Sequence, residues 1–175
     1  MMEITEMIEE CGFDDWGTCP AEKLRVRSEV RDMCAAGRCH MYGHNWSCPP
    51  ACGEIEEFAE LIAARTECFV VQTVAELEDE FDVETMMEAE KLQKQRMFEL
   101  ADKLRDAGRD VLVLTSGACT VCPKCSYPDE PCRFPEKRFV SMESAGLMVS
   151  EACAAAGVDY THGNGTMTYT GAVLV

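Results

Sequence analysis

The chain has 175 residues, 12 of them cysteine, and its 32 acidic and 16 basic side chains give a formal net charge of −16. This charge argues against nucleic acid and anionic membrane as partners, because both are bound through clustered lysine and arginine. No apolar run reaches the ~20 residues that a membrane-spanning helix needs, and the acidic N-terminus does not resemble a secretory signal. We therefore expect a cytoplasmic protein whose clustered cysteines bind metal or carry redox chemistry.

The sequence pattern of the first half of the chain predicts three helices and two strands. Apolar residues at helical spacing predict a helix over 3–11, and a short strand over 13–18 follows it. Pro20 suits the first turn of a second helix over 20–33, and a third helix is expected over 54–65. The apolar run 68–74 predicts a buried strand.

The second half begins with a long helix over 84–107, followed by a short apolar strand over 111–115. Ser141 is a suitable N-cap for a helix over 142–156. The Gly-Asn-Gly sequence at 163–165 predicts a turn between two strands, and hence a C-terminal hairpin.

Helices that alternate with strands predict the fold class. We expect a single α/β domain over 1–175, with a small, mostly parallel sheet flanked by helices and a C-terminal hairpin. Two segments rich in glycine and proline, 34–53 and 116–140, interrupt this regular pattern, and each holds four cysteines. These segments are predicted to be irregular metal-binding loops.

The second cluster contains three evenly spaced cysteines. Cys119, Cys122 and Cys125 are separated by two residues each, and Cys132 follows after six more. Such spacing places three thiolates on one tight loop, as in ferredoxins that hold a four-iron cluster. Structural zinc sites usually present two separate ligand pairs, so zinc is the competing metal.

Basic side chains lie close to this motif in the sequence and would offset the charge of four thiolates. They are Lys124, Arg133, Lys137 and Arg138. Acidic residues interleave with them, so the alternative interpretation is a set of ordinary solvated side chains.

The first cluster is spaced more loosely, with four, eight and three residues between successive cysteines. Its members are Cys34, Cys39, Cys48 and Cys52. This spacing matches neither the common zinc pairs nor the ferredoxin motif. Because Cys52 lies just before a predicted helix, it is the least secure ligand, and a three-cysteine cluster would leave one iron open to substrate. His40 and His44 flank this loop as further possible ligands.

The other four cysteines stand alone in the sequence. Cys11, Cys68 and Cys153 fall on predicted apolar faces and are expected to be buried thiols, whereas Cys19 is a candidate for reactivity.

Met86 and Met87 are candidates for an interface patch, and Arg133 and Glu143 for substrate contacts. No catalytic triad, phosphate loop or dinucleotide motif is visible, so the sequence assigns no catalytic residue.

Taken together, several segments resemble one family, the small cysteine-rich proteins of anaerobic bacteria and archaea that are predicted to bind metal. The matching segments are 42–43, 46–53, 119–128, 131–135, 141–143 with Gly146, and 164–171. The chain departs from the family pattern around Cys39, where His40 replaces an expected glycine. The resemblance implies a metal, with iron–sulfur chemistry favoured, and implies no particular reaction.

Three functional interpretations follow. The first is a protein with two iron–sulfur clusters, of the 4Fe-4S type, that acts in electron transfer or as a redox accessory to a basic partner protein. The second is an iron–sulfur enzyme whose first cluster binds substrate at an open iron. The third is an interaction module stabilised by zinc.

Overall fold

The computed structural model describes residues 3–175, and its helices and strands follow in chain order. They are α1 (Ile4–Glu10), β1 (Asp15–Pro20), α2 (Ser28–Ala35), α3 (Ile55–Ala63), β2 (Glu67–Glu76), α4 (Val83–Asp106), β3 (Leu112–Thr115), β4 (Val140–Ser141), α5 (Val149–Ala156) and β5 (Thr166–Leu174). None of the helices within residues 3–175 combines the length and apolarity that crossing a membrane requires.

The five strands found within residues 3–175 form one mixed sheet in the order β1-β2-β5-β3-β4. Only β3 and β4 pair in parallel, whereas β1 with β2, β2 with β5, and β3 with β5 all pair antiparallel. The prediction of a mostly parallel sheet is therefore wrong. Strands β2 and β3 do run in the same direction, as the helix between them suggested. They are not neighbours, however, because β5 lies between them and runs the opposite way.

The prediction of a C-terminal hairpin is also wrong. Residues 160–162 form no strand, and the turn at 163–165 leads directly into β5. That strand pairs along its whole length with β2, from Glu76 opposite Thr166 to Cys68 opposite Leu174. A long-range partner has therefore replaced the local one that the turn signal suggested.

The sheet has a helical layer on each face. Along β2, Cys68 and Val70 belong to a core shared with α3 and α5, while Phe69 and Val71 belong to a second core shared with α1 and α4. This alternation follows the two-residue period of a strand. Both faces are consequently apolar, which explains why β2 reads as a continuous hydrophobic run.

Helices α1, α3 and α4 lie within a few residues of their predicted bounds, but two other predicted helices are shorter. The helix expected over 20–33 is divided into a single 3-10 turn at Ala21–Lys23 and α2. The helix expected over 142–156 begins only at Val149. Before it, residues 142–146 form a turn in which Gly146 takes a φ of +84°, and Leu147 then makes a bridge to Val26. Position 141 therefore initiates a turn instead of a long helix.

Candidate metal centres

The two cysteine-rich segments lie against each other beside the carboxyl end of β3. We call residues 36–54, between α2 and α3, the first loop, and residues 116–139, between β3 and β4, the second loop. Trp46 of the first loop donates a hydrogen bond from Nε1 to the carbonyl oxygen of Glu130 at 3.0 Å. Its ring also packs edge-on against Tyr127, with centroids 5.0 Å apart. The loops therefore form one continuous region.

All four cysteines of the second cluster line one cavity of about 440 Å³, namely Cys119, Cys122, Cys125 and Cys132. Burial raises the pKa of the Cys119 thiol, and the three neighbouring thiols raise it further. A hydrogen bond from the backbone N–H of Val121 opposes this rise. The four sulfur groups are thus close enough to influence one another electrostatically.

Two of the four basic residues named above line this cavity. Arg133 and Arg138 do so, and Arg138 has a buried Nε without a hydrogen-bond partner among the described residues. Lys137 lines a small neighbouring cavity that also contains Cys119. Lys124 is exposed, and its carbonyl oxygen accepts a hydrogen bond from Arg133 at 3.0 Å. Positive charge therefore approaches the thiols mainly through the two arginines.

Three cysteines of the first cluster line a second cavity, of about 610 Å³. They are Cys34, which lies in the last turn of α2, together with Cys39 and Cys48. Burial raises the pKa of Cys34 to about 11, and the nearby Glu143 carboxylate adds to the rise. Glu143 also lines this cavity, as does Tyr42. The cavity therefore combines three thiols with polar groups that a small molecule could contact.

Cys52 does not line that cavity. It is 7% exposed and borders a different cavity, whose lining includes Arg138. The Nη2 atom of Arg31 lies 3.8 Å from its sulfur, and the same guanidinium donates to the carbonyl oxygens of Gly53 and Ser144. Burial raises the pKa of Cys52, and the positive charge of Arg31 opposes the rise. The backbone N–H of Cys52 donates to the carbonyl oxygen of Cys48 at 3.1 Å, and the Cys48 thiol adds to the rise in pKa. Cys52 therefore lies near Cys48 but outside the cavity that the other three thiols line.

Ser47 connects the two cysteine clusters. Its hydroxyl accepts a hydrogen bond from the backbone N–H of Cys119 at 2.9 Å and donates one to Oδ1 of Asn45 at 2.6 Å. The same oxygen lies 3.9 Å from the sulfur of Cys48. Ser47 and Asn45 are 1% and 2% exposed, so water does not compete for these contacts.

Lys94 connects α4 to the second loop. Its Nζ donates to the carbonyl oxygen of Ala118, the residue before Cys119, and to Oε1 of Glu90, both at 2.8 Å. The Lys94 side chain is only 9% exposed. This contact fixes the start of the second loop against a long, rigid helix.

The two histidines considered as possible ligands lie at the edge of the region. His44 borders the cavity of the second cluster, and His40 is exposed with a φ of +58°. Within residues 3–175, no three cysteine, histidine or acidic side chains converge closely enough to hold a single metal ion. The eight thiols of the two cysteine clusters line cavities, and their assignment as metal ligands stays a prediction.

The isolated cysteines are buried, as predicted for Cys11, Cys68 and Cys153. Cys19 is also buried, at 4% exposure, and lies directly opposite Cys68 on the neighbouring strand. A hydrogen bond with Cys68 lowers the pKa of Cys19, and burial opposes this change. Its burial nevertheless restricts access by reagents in solution.

Sequence reasoning missed Arg31, Asn45, Ser47 and Lys94, which position the cysteines without being ligands. Their roles depend on contacts between distant segments: Arg31 reaches Ser144 across 113 positions, and Ser47 reaches Cys119 across 72. No spacing rule connects such residues. The only local signal was the position of Ser47 directly before Cys48.

The fold and the two cysteine-lined cavities define a cysteine-rich α/β protein with candidate metal centres in paired loops. A family model described as "Predicted metal-binding protein (DUF2284)" matches residues 18–175, and the chain belongs to this family of predicted metal-binding proteins. The match includes both loops and all eight cysteines of the two clusters. No curated protein and no solved structure matches the chain.

Proposed function

We propose that this chain is an iron–sulfur protein that holds two clusters, each of the four-iron type, and carries electrons through them. The observation that supports this proposal best is the contact at Ser47, whose hydroxyl touches both cysteine sets. Two adjacent centres joined through one buried residue suit electron transfer between them. When bound, such clusters supply one-electron redox chemistry, with potentials set by charge, hydrogen bonds and exposure.

The second set of four cysteines favours an iron–sulfur cluster over a zinc ion as the bound group. A tetrahedral zinc site needs four sulfur atoms each about 2.3 Å from one ion. Structural zinc sites usually take two separate ligand pairs, whereas Cys119, Cys122 and Cys125 are evenly spaced with Cys132 close behind, as in a four-iron site. Cys119, Cys122, Cys125 and Cys132 would be the ligands. The N–H of Val121, directed at the sulfur of Cys119, is the kind of donor that tunes a cluster.

Other side chains would protect and balance the centres. Trp46 and Tyr127 pack together beside the second cluster and restrict water, which favours a low local dielectric. Arg133 and Arg138 bring positive charge to the thiolates. Cys34, Cys39 and Cys48 would hold the other cluster, with Cys52 as the fourth candidate.

The test is metal and sulfide analysis after oxygen-free purification. Two four-iron clusters predict a brown protein with about eight iron and about eight sulfide per chain. Cys122→Ala should lose about half of the iron, whereas Cys153→Ala, at a buried core thiol, should retain it. A colourless protein with two zinc ions would contradict the proposal and favour an interaction module stabilised by zinc.

A second candidate function is supported by the position of Cys52. Because this cysteine borders a different cavity from Cys34, Cys39 and Cys48, a cluster bound by those three would retain an iron open to substrate. The chain would then be an enzyme whose first cavity binds a small molecule as ligand to that iron. Cys52→Ala should keep its full iron content under this interpretation, and spectra should change when cyanide is added. Loss of half of the iron in Cys52→Ala would exclude it.

A further inference from the structure

An apolar groove runs along the N-terminal half of α4. It has a volume of about 860 Å³, and its lining includes Val83, Met87 and Phe98. Phe81, just before the helix, is 79% exposed, Val83 is 58% exposed and Met87 is 66% exposed. Large apolar side chains exposed in one place indicate an interaction surface more often than a solvated one. We call this surface the α4 groove.

The α4 groove is bordered by a strongly acidic segment. Residues 76–90 contain eight of the 32 acidic side chains of the chain and no lysine or arginine. The charged residues that line the groove are Glu84, Glu88, Glu90, Lys91 and Lys94, and Lys94 pairs with Glu90 at 2.8 Å. Glu84 and Glu88 are exposed and have no ion-pair partner among the described residues, so the border is acidic despite the exposed Lys91. An apolar centre with a charged border is the usual composition of a specific protein interface.

The α4 groove also lies next to the second cluster. Thr120, the residue after Cys119, lines both the groove and the cavity that contains the four thiols. Lys94 lines the groove too, and it holds the carbonyl oxygen of Ala118 at 2.8 Å. A protein bound in the groove would therefore lie close to the candidate electron carrier.

We propose that the α4 groove is the docking surface for a redox partner protein that presents an apolar contact surrounded by lysine and arginine. The proposal rests on the proposed electron-transfer function. Charge complementarity argues for such a partner, because the acidic border attracts cations and steers their approach. It argues against a second copy of this chain, since two copies of net charge −16 would bring like charges together.

Binding of a defined probe tests the proposal. The probe is a lysine-rich cytochrome c, titrated calorimetrically into the protein purified without oxygen, with hydrogen exchange as the second readout. We expect slower exchange over residues 81–98 in the complex, and binding that weakens as salt concentration rises. Slower exchange only at other surfaces would overturn the proposal.

Matched variants separate the groove from the overall charge. Glu84→Gln/Glu88→Gln should weaken binding about fivefold, as should Met87→Ser, which removes an apolar contact. The control variant Glu9→Gln/Asp106→Asn removes the same charge from exposed positions on α1 and at the C-terminal end of α4. It should change the binding affinity for cytochrome c by less than about twofold. Equal weakening by the two double variants would show that net charge alone drives binding, and would overturn the proposal.

Three further outcomes are informative. If dithionite bleaches the visible absorbance of every variant, while electron transfer to cytochrome c slows only in the groove variants, the docking proposal is supported. If dithionite reduces nothing in the parent protein, the electron-transfer function fails, and the docking proposal built on it fails as well. A dimer that Met87→Ser dissociates would assign the groove to a second copy and overturn the proposal.

Discussion

Ser47 illustrates how much one small buried side chain contributes to this region. Ser47→Ala removes the acceptor for the N–H of Cys119 and the donor to Asn45 while creating little space. We expect the free energy of unfolding to fall by about 1–3 kcal/mol, because a buried N–H is left without a partner. Urea unfolding measures this change.

The control for this prediction is Ser28→Ala at an exposed position of α2. It should change the free energy of unfolding by less than about 0.5 kcal/mol. If Ser47→Ala unfolds at the same urea concentration as the parent, the bridging role assigned to Ser47 is wrong.

Cys11 should make stability depend on pH in the alkaline range. Burial, together with the Glu99 carboxylate, raises its pKa from 9.0 to about 11 in the folded protein. The unfolded chain therefore ionises this thiol first, and the stability linked to it is lost as pH rises from about 9 through 11. Below pH 9 this contribution is fully present.

The measurement compares Cys11→Ala with the parent at pH 8 and at pH 10.5. The variant should be less stable at pH 8, by about 1 kcal/mol, because it leaves a small void beneath α1. By pH 10.5 the difference should vanish or reverse, since only the parent has a thiol to ionise and the loss is about 1.4 kcal/mol per pH unit above 9. A difference that stays constant between these pH values would contradict the assigned pKa.

At the scale of the elements, the close approach of α5 to the sheet depends on Gly17 in β1. A β-carbon at this position would overlap the carbonyl oxygen of Ala156, at the end of α5, and would meet Val158. Gly17→Ala should therefore lower the free energy of unfolding by about 2–3 kcal/mol, because backbone cannot move aside as a side chain does. Thermal or urea unfolding provides the measurement.

Gly108→Ala is the matched substitution, since a β-carbon there meets nothing within 4 Å. It carries only the cost of a positive φ, about 1 kcal/mol. Should both variants lose the same stability, the contact between Gly17 and Ala156 does not limit packing.

The helices and central strands could be predicted because their signals are local. Hydrophobic periodicity placed α1, α3 and α4, and an apolar run placed β2. The sheet order could not be predicted, since it depends on β5 inserting between β2 and β3. A helix between two strands suggests parallel neighbours, and nothing in residues 166–174 indicates which strands they will join.

The candidate site was predictable in part for the same reason. Spacing alone selected Cys119, Cys122, Cys125 and Cys132, and the structure places these four around one cavity. Spacing in the first loop did not reveal that Cys52 borders a separate cavity, because the fold of that loop depends on Arg31 contacting Gly53 and Ser144. Local motifs select candidate ligands, but distant contacts decide which of them meet.

At the scale of the whole molecule, the charge of −16 should lower stability through repulsion among acidic side chains. Raising NaCl from 0.02 to 0.5 M should increase the free energy of unfolding, on the order of 1 kcal/mol, by screening that repulsion. Glu78→Gln/Glu80→Gln, at exposed positions, should be more stable than the parent at low salt and gain less from added salt. An unchanged urea midpoint across this salt range would show that the repulsion is negligible.

The central position of β5 has a consequence for biosynthesis. Of the five strands among residues 3–175 it is the last to be translated, yet β2 and β3 are joined within the sheet only through it. Both cysteine-rich loops therefore emerge from the ribosome before the sheet that supports them can form. The cavities that these loops line therefore take their final shape only after residues 166–174 have been added.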